Sequence, residues 1–344
     1  MRRVSTLTAA LSLTAALALT ATGCGESSTE SSSDGKPKGP GIAFDVGGRD
    51  DHSFNESAAR GADRAEKELG VKANYQTAQN GETDADRIQR LSTLARKGYN
   101  PVIGVGFLYG ESIKKVAKEY PDTTFGVVDS VVEADNVYSM VFAEHEGSYL
   151  AGVAAALKTK TDKVGFIGGV NNALIQKFQA GFEQGVKDTR KDVEVVTQYL
   201  YATDDKGFND PAKAKEQANG MLSRGVDVIY TAAGQSGAGA IEEVAKHKNA
   251  WAIGVDSDQY QQPGLKKYRD AILTSVVKNV DVAVFDLIKS VQDGKPLTGV
   301  GEYTLKKDGV RLATSGGFIE DIHDEIEAAR KKIAAGEITV KDKP

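Results

Sequence analysis

From Gly41 onward the chain alternates short β-branched runs with longer stretches of helical spacing, and few folds accommodate that pattern. The runs Gly41–Val46, Val71–Gln76, Pro101–Phe107, Thr124–Asp129 and Val137–Phe142 form a first series of expected strands. Lys163–Gly168, Val193–Tyr199, Val226–Ala232, Trp251–Asp256 and Ala271–Val276 form a second. Many are apolar at nearly every position. A strand covered on both faces requires this, because successive side chains point to opposite sides of a sheet. The expected helices between them are Ser57–Leu69, Asp84–Lys97, Gly110–Glu119, Gly147–Lys158, Ala173–Asp188, Pro211–Arg224, Gly237–Lys246 and Val280–Asp293. Gly70 and Gly98 stand where helices stop; Pro211 suits a first turn, with Asp210 as its cap, and Asp51 also reads as a cap.

Regular strand–helix alternation gives parallel sheets with right-handed crossovers. The expected fold class is therefore α/β, with two doubly wound parallel-sheet lobes joined by a hinge. Lobe 1 is expected to take residues 41–145 and 277–300, and lobe 2 residues 146–276 and 301–340. Val280–Asp293 reads as a helix returning to lobe 1, and the charged stretch Asp321–Ala335 as a helix closing lobe 2.

The first 40 residues differ in character. Met1-Arg2-Arg3 precedes the uncharged, small-residue-rich stretch Leu7–Ala21, which is too short and too rich in Thr for a good membrane span and has the layout of a secretory signal. It ends in Ala21-Thr22-Gly23-Cys24, resembling a bacterial lipobox with Ala21 where Leu is usual. Residues 1–23 are expected to be a lipoprotein signal peptide and Cys24 the lipidated residue; the alternative is a plain secretory signal with an incidental cysteine. Residues 24–40, rich in Ser, Glu, Gly, Lys and Pro, read as a flexible stalk. Cys24 is the only cysteine, so no internal disulfide holds the folded part.

Charge and motifs narrow the function classes. The 43 basic and 48 acidic residues, net −5, are spread without long blocks, which argues against a nucleic-acid-binding face. Four His and one Cys make no metal-ligand cluster. There is no Gly-x-Ser-x-Gly elbow and no Walker loop, and Gly104-x-Gly106-x-x-x-Gly110 departs from the dinucleotide spacing. These observations point to a binding protein without a cofactor rather than to an enzyme.

In open α/β sheets ligands bind beyond the carboxyl ends of the strands, and with two lobes the cleft between them is the expected site. The segments there are Asp45–Asn55, Gly104–Gly110, Asp129-Ser130, Gly165–Gly169, Asp204–Pro211, Ala233–Gly237, Val255–Asp258 and Thr274–Lys278. Gly, Asp and Ser concentrate in them, as a hydrogen-bonding cleft needs, although any one Gly is equally a turn residue. Phe54 and Phe208 stand among polar and glycine residues rather than on an apolar helical stripe. Ligand contact and core packing are the two readings of each.

Four motifs in one order carry a resemblance: Asp45-x-Gly47-Gly48-x-Asp50-Asp51-x-Ser53-Phe54-Asn55, Glu144-His145-Glu146-Gly147-Ser148-Tyr149-Leu150-Ala151-Gly152, Gly165-Phe166-Ile167-Gly168-Gly169, and Asp210-Pro211-Ala212-Lys213-Ala214-Lys215-Glu216. Together they resemble the basic membrane lipoprotein family, whose best-known members are purine nucleoside receptors feeding ABC importers, and the resemblance covers nearly all the chain after the stalk. It implies the type I periplasmic-binding-protein fold. It implies further that Phe54 and Phe208 sandwich a purine, that Asn55 and Asp129 read the base edge, and that Asp256 accepts from the ribose hydroxyls. Lys278 would donate to the sugar, Gly234 would let backbone approach it, and Asp45 would be a further acceptor. The implied partners are an ABC permease and ATPase, with the protein a monomer on the extracytoplasmic face, touching the membrane through its lipid anchor alone. Arg49 and His52 stand where the family more often has an apolar residue and Lys or Gly, which bears on base preference. A sugar or signalling molecule in the same cleft, or a ligand sensor for a membrane kinase, are the alternatives.

Overall fold

The computed structural model describes residues 38–344; the expected signal peptide, Cys24 and the stalk up to residue 37 lie outside the described residues. The expected stalk end at Pro40 is too late. Gly39 and Pro40 are buried, and their carbonyls accept the backbone N–H of Asn100 and of Asn74, each at 2.9 Å.

The strands in chain order are β1 Gly41–Ala43, β2 Asn74–Gln76, β3 Val102–Gly104, β4 Phe125–Val128, β5 Val137–Phe142, β6 Lys163–Val170, β7 Glu194–Tyr201, β8 Val228–Ala232, β9 Trp251–Asp256, β10 Ile272–Lys278, β11 Gly299–Tyr303 and β12 Val310–Leu312. The helices are α1 Phe54–Leu69, α2 Asp84–Arg96, α3 Gly110–Glu119, α4 Glu144–Lys158, α5 Ala173–Thr189, α6 Pro211–Leu222, α7 Gly237–Val244, α8 Val280–Gln292 and α9 His323–Ala334. All ten expected strands are present. Two helices begin three residues earlier than their apolar spacing indicates, α1 at Phe54 and α4 at Glu144.

The strands form two six-stranded sheets, ordered β11-β5-β4-β3-β1-β2 and β12-β10-β9-β8-β6-β7. Apart from the outer strands β11 and β12, the two orders correspond strand for strand. Every pairing is parallel except that of β12, which runs antiparallel along β10. The expected return to lobe 1 at residue 277 and the expected entry into lobe 2 at residue 301 both need correction. Val277 and Lys278 end β10 and pair with β12, so lobe 2 keeps the chain through Lys278. Gly301, Glu302 and Tyr303 pair with Met140, Val141 and Phe142 of β5, so lobe 1 keeps the chain through Tyr303. The segment carries two glycines and a glutamate and is mostly exposed, so its own sequence is a weak strand signal.

Each sheet is covered on both faces. In lobe 1, Ile42 packs with Ala58 and Ala62 of α1 and with Val284 of α8, while its neighbour Ala43 faces Leu91 of α2 and Ile113 of α3. In lobe 2, Phe166 packs toward Leu150 of α4 and Phe182 of α5, while Ile167 faces Ala218 of α6 and Ile241 of α7. Full burial of such aliphatic and aromatic side chains stabilises by roughly 1.5–3 kcal/mol each. Local signals set the helix ends: Thr83 and Asp86 form a capping box on α2, Asn172 caps α5, and Asp210 accepts the Lys213 N–H ahead of Pro211. The chain passes between lobes three times: from β5 into α4, from β10 into α8, and from β11 to β12.

Candidate ligand-binding site

One cavity, partly open to solvent, lies where the carboxyl ends of both sheets meet. Lobe 1 supplies Asp45, Asp51, Phe54, Asn55, Phe107 and Asp129; lobe 2 supplies Leu174, Ile175, Phe178, Phe208, Gly234, Asp256 and Lys278. All eight residues expected at a ligand site therefore line the same cavity, although they come from seven separate strand ends, turns and helix starts.

The loop after β1 is shaped by two side chains. Asp51 accepts the backbone N–H groups of Ser53, Asn55 and Glu56 at 2.8–3.0 Å, and so caps the start of α1. Asn55 accepts the Asp45 N–H at 3.1 Å and donates to the Val46 carbonyl at 3.1 Å. Asn55 lines the cavity, and its amide also bonds the loop backbone at both ends, which holds Asp45 and the first turn of α1 in place. Asp45 itself is 7% exposed, and burial lifts its carboxyl to about 7, partly offset by the Val46 N–H and by Arg87.

Phe54 is the first residue of α1 rather than a loop residue, and Phe208 ends a short 3₁₀ turn, Asp205–Phe208. Both rings are half-buried at the cavity wall, one from each lobe. The Lys278 ammonium lies 4.9 Å from the Phe54 ring centroid. Phe208 meets Phe107 of the opposite lobe edge-on, with centroids 6.4 Å apart and planes at 71°. Gly169 leaves the room that Phe208 needs: a Cβ there would come within 2.7 Å of its ring.

The polar floor is an ion cluster. Lys278, at the end of β10, places its ammonium 2.6 Å from Asp129 Oδ2 and 3.4 Å from Glu144 Oε1, and all three side chains are at most 4% exposed. Burial works against the lysine charge, but Asp129, Glu144 and Asp256 hold its pKa well above the ordinary range. Burial lifts Asp129 to about 6, with Lys278 pulling down and Glu144 pushing up. An ammonium has three N–H donors, so one of Lys278's remains for a ligand. Asp129 Oδ1 is buried without a hydrogen-bond partner. Asp129 thus presents a free acceptor beside a free donor. Asp256, at the equivalent strand end of lobe 2, accepts the Ser53 hydroxyl at 2.7 Å on one oxygen. Asp129 and Asp256 both adopt left-handed backbone conformations, φ 67° and 63°, a strained geometry that is enriched at binding sites. Gly234 is also left-handed, φ 53°, and turns the chain beside Phe208.

Arg49 and His52 point elsewhere. Arg49 pairs with Asp63 and lies over the Tyr75 ring, and His52 meets Glu56. Neither lines the cavity. The residues that sequence reasoning missed are Glu144 and the α5 trio Leu174, Ile175 and Phe178. The trio sits at helical spacing and is indistinguishable by pattern from core; its one signal is that α5 starts just beyond β6. Among the described residues no group of His, Cys, Asp and Glu is arranged to hold a metal ion, and no helix is long and apolar enough to cross a membrane.

The family model for PnrA-like ABC transporter substrate-binding proteins, Bmp, matches residues 41–344. A CD4+ T-cell-stimulating antigen of Listeria innocua is 37% identical, over 98% of this chain and 99% of its own. The ABC transporter nucleoside-binding protein BmpA of Lactococcus lactis is 36% identical, over 88% of each chain. An ABC transporter solute-binding protein of Aeropyrum pernix K1 has a similar structure, with a TM-score of 0.77 at 30% identity, over 88% of this chain and 93% of that one.

Proposed function

Because this chain belongs to the family of PnrA-like ABC transporter substrate-binding proteins, whose members bind cargo and are not enzymes, we propose that its own cargo is a purine nucleoside. The observation that carries this reading is the pairing of Phe54 and Phe208, aromatic rings from opposite lobes on one cavity whose floor offers a carboxylate acceptor and an ammonium donor. A purine is flat and can stack on such rings at roughly 1–3 kcal/mol per contact. Its sugar or base edge carries the donors and acceptors that Asp129, Lys278 and Asp256 require. The relative from Lactococcus, named for nucleoside binding, favours the same cargo.

A ligand that touches both lobes favours the form in which both sets of contacts are made, so binding closes the hinge. The closed protein then docks on its permease, and the ATPase drives import. Cys24 tethers it to the extracytoplasmic face of the membrane; Cys24→Ser should move the protein from the membrane to the soluble fraction. The test of cargo is calorimetry with adenosine, guanosine, inosine and ribose in parallel. Saturable binding of at least one nucleoside, and none of ribose, is expected. Ribose binding as tightly as any nucleoside would overturn the reading.

A further inference from the structure

Glu144 is a buried carboxylate without an evident duty. It is 1% exposed, it opens α4 at the first passage between lobes, and its two oxygens face two lysines: Lys278 at 3.4 Å and Lys177 at 3.5 Å. Taking a carboxylate out of water is expensive, and a second anion is not required to neutralise Lys278, which already has Asp129 at 2.6 Å. The positive end of α4 eases the burial, since Glu144 lies in its first turn. That explains how the residue is tolerated, not why it is there.

The geometry of the ammonium supplies a reason. With Asp129 as its only counter-ion, Lys278 would be free to bridge both carboxylate oxygens. With Glu144 on its other side, it engages Oδ2 alone, and Oδ1 is left without a partner. We propose that Glu144 is a positioning residue of the cleft: by taking a share of the Lys278 ammonium, it keeps the lysine off the second oxygen of Asp129 and reserves that oxygen for the ligand. The placement also fastens two of the three passages between lobes at the cavity floor, because Lys278 is the last residue of β10 before the chain returns to lobe 1. The charged groups that act on Asp129 are Lys278, Glu144, Lys177 and, across the cavity, Asp256.

The ligand's identity rests on the nucleoside reading; the role of Glu144 does not, so the experiment has two arms. In the first, the Asp129 carboxyl is titrated by ¹³C NMR without added ligand, in wild type, Glu144→Gln and Glu144→Asp. Glu144→Gln removes a repelling charge and lets Lys278 close on Asp129, so the midpoint should move to lower pH, while Glu144→Asp, which keeps the charge, should return it toward wild type. In the second, adenosine affinity is measured by calorimetry, and Glu144→Gln should lose at least tenfold. An unmoved Asp129 midpoint in Glu144→Gln, or adenosine affinity within twofold of wild type, would overturn the proposal. If wild type binds no nucleoside, the cargo reading fails and the titration alone decides the role of Glu144. If Glu144→Gln does not fold, Glu144→Ala is titrated in its place: a midpoint moved to lower pH supports the proposal, and an unmoved one refutes it.

Discussion

Truncating Phe208 to alanine separates the stacking reading from a merely structural one. The ring makes two kinds of contact that count only when the lobes are together. One is with the ligand, worth roughly 1–3 kcal/mol for an aromatic face on a base. The other is the edge-on contact with Phe107 of the opposite lobe, at 6.4 Å, worth about 0.5–1.5 kcal/mol for such a pair. Phe208→Ala should therefore cost about 1.5–4.5 kcal/mol of binding, a roughly 10- to 2,000-fold rise in Kd at 1.4 kcal/mol per tenfold. The ring is only half-buried on its own lobe, against Gly169, so unfolding by urea should show a loss of about 1–2 kcal/mol, below the ~3–5 kcal/mol of a fully buried Phe. Phe208→Leu should regain most of that stability but little of the affinity, because leucine fills the space without offering a flat face. Calorimetry with the nucleoside that wild type prefers reads the binding term. If Phe208→Ala binds within twofold of wild type, the ring does not stack on the ligand and the argument is wrong.

Three other outcomes follow from the geometry. Folded Asp45 and Asp129 have carboxyl pKa values raised to about 7 and about 6 by burial, so between pH 4 and 7 the folded chain binds more protons than the unfolded one. Stability to urea should fall as pH rises through that window, by up to about 1.4 kcal/mol per pH unit for each group, while nucleoside affinity should move the opposite way as Asp129 becomes an acceptor. Gly181 of α5 lies where any Cβ would strike the His145 carbonyl of α4, so Gly181→Ala should force the helices apart and cost about 1–3 kcal/mol, read as a lower urea midpoint at unchanged slope. Asp205 of lobe 2 lies 3.8 Å from Arg87 of lobe 1 across the cleft; Asp205→Ala should speed ligand release about two- to fivefold in stopped-flow with little change in association, as a partly screened pair contributes about 0.2–1 kcal/mol.

What could be read along the chain was whatever neighbouring residues decide among themselves. The continuously apolar runs specify strands covered on both sides, Gly70 ends α1 in a left-handed turn, and Asp210 with Pro211 starts α6. Because strands of a parallel sheet all end at one edge, the regions of the cleft-lining loops could also be named, and Asp45, Phe54, Asn55, Asp129, Phe208, Gly234, Asp256 and Lys278 do face one cavity. Other features depended on partners far away in sequence. Only pairing with β5 makes a strand of Gly299–Tyr303, whose glycines and glutamate have little preference for one. Asn55 has the same amide whatever it meets; the close carbonyl of Val46 and N–H of Asp45 decide that it clamps the loop. Glu144 and Lys278 are separated by 134 positions, yet lie 3.4 Å apart, because two passages between the lobes converge beneath the cavity. Short-range propensities act between residues a few positions apart, so they can announce an element and its ends. Which charges share a buried floor is decided by how the elements pack, and no local pattern records it.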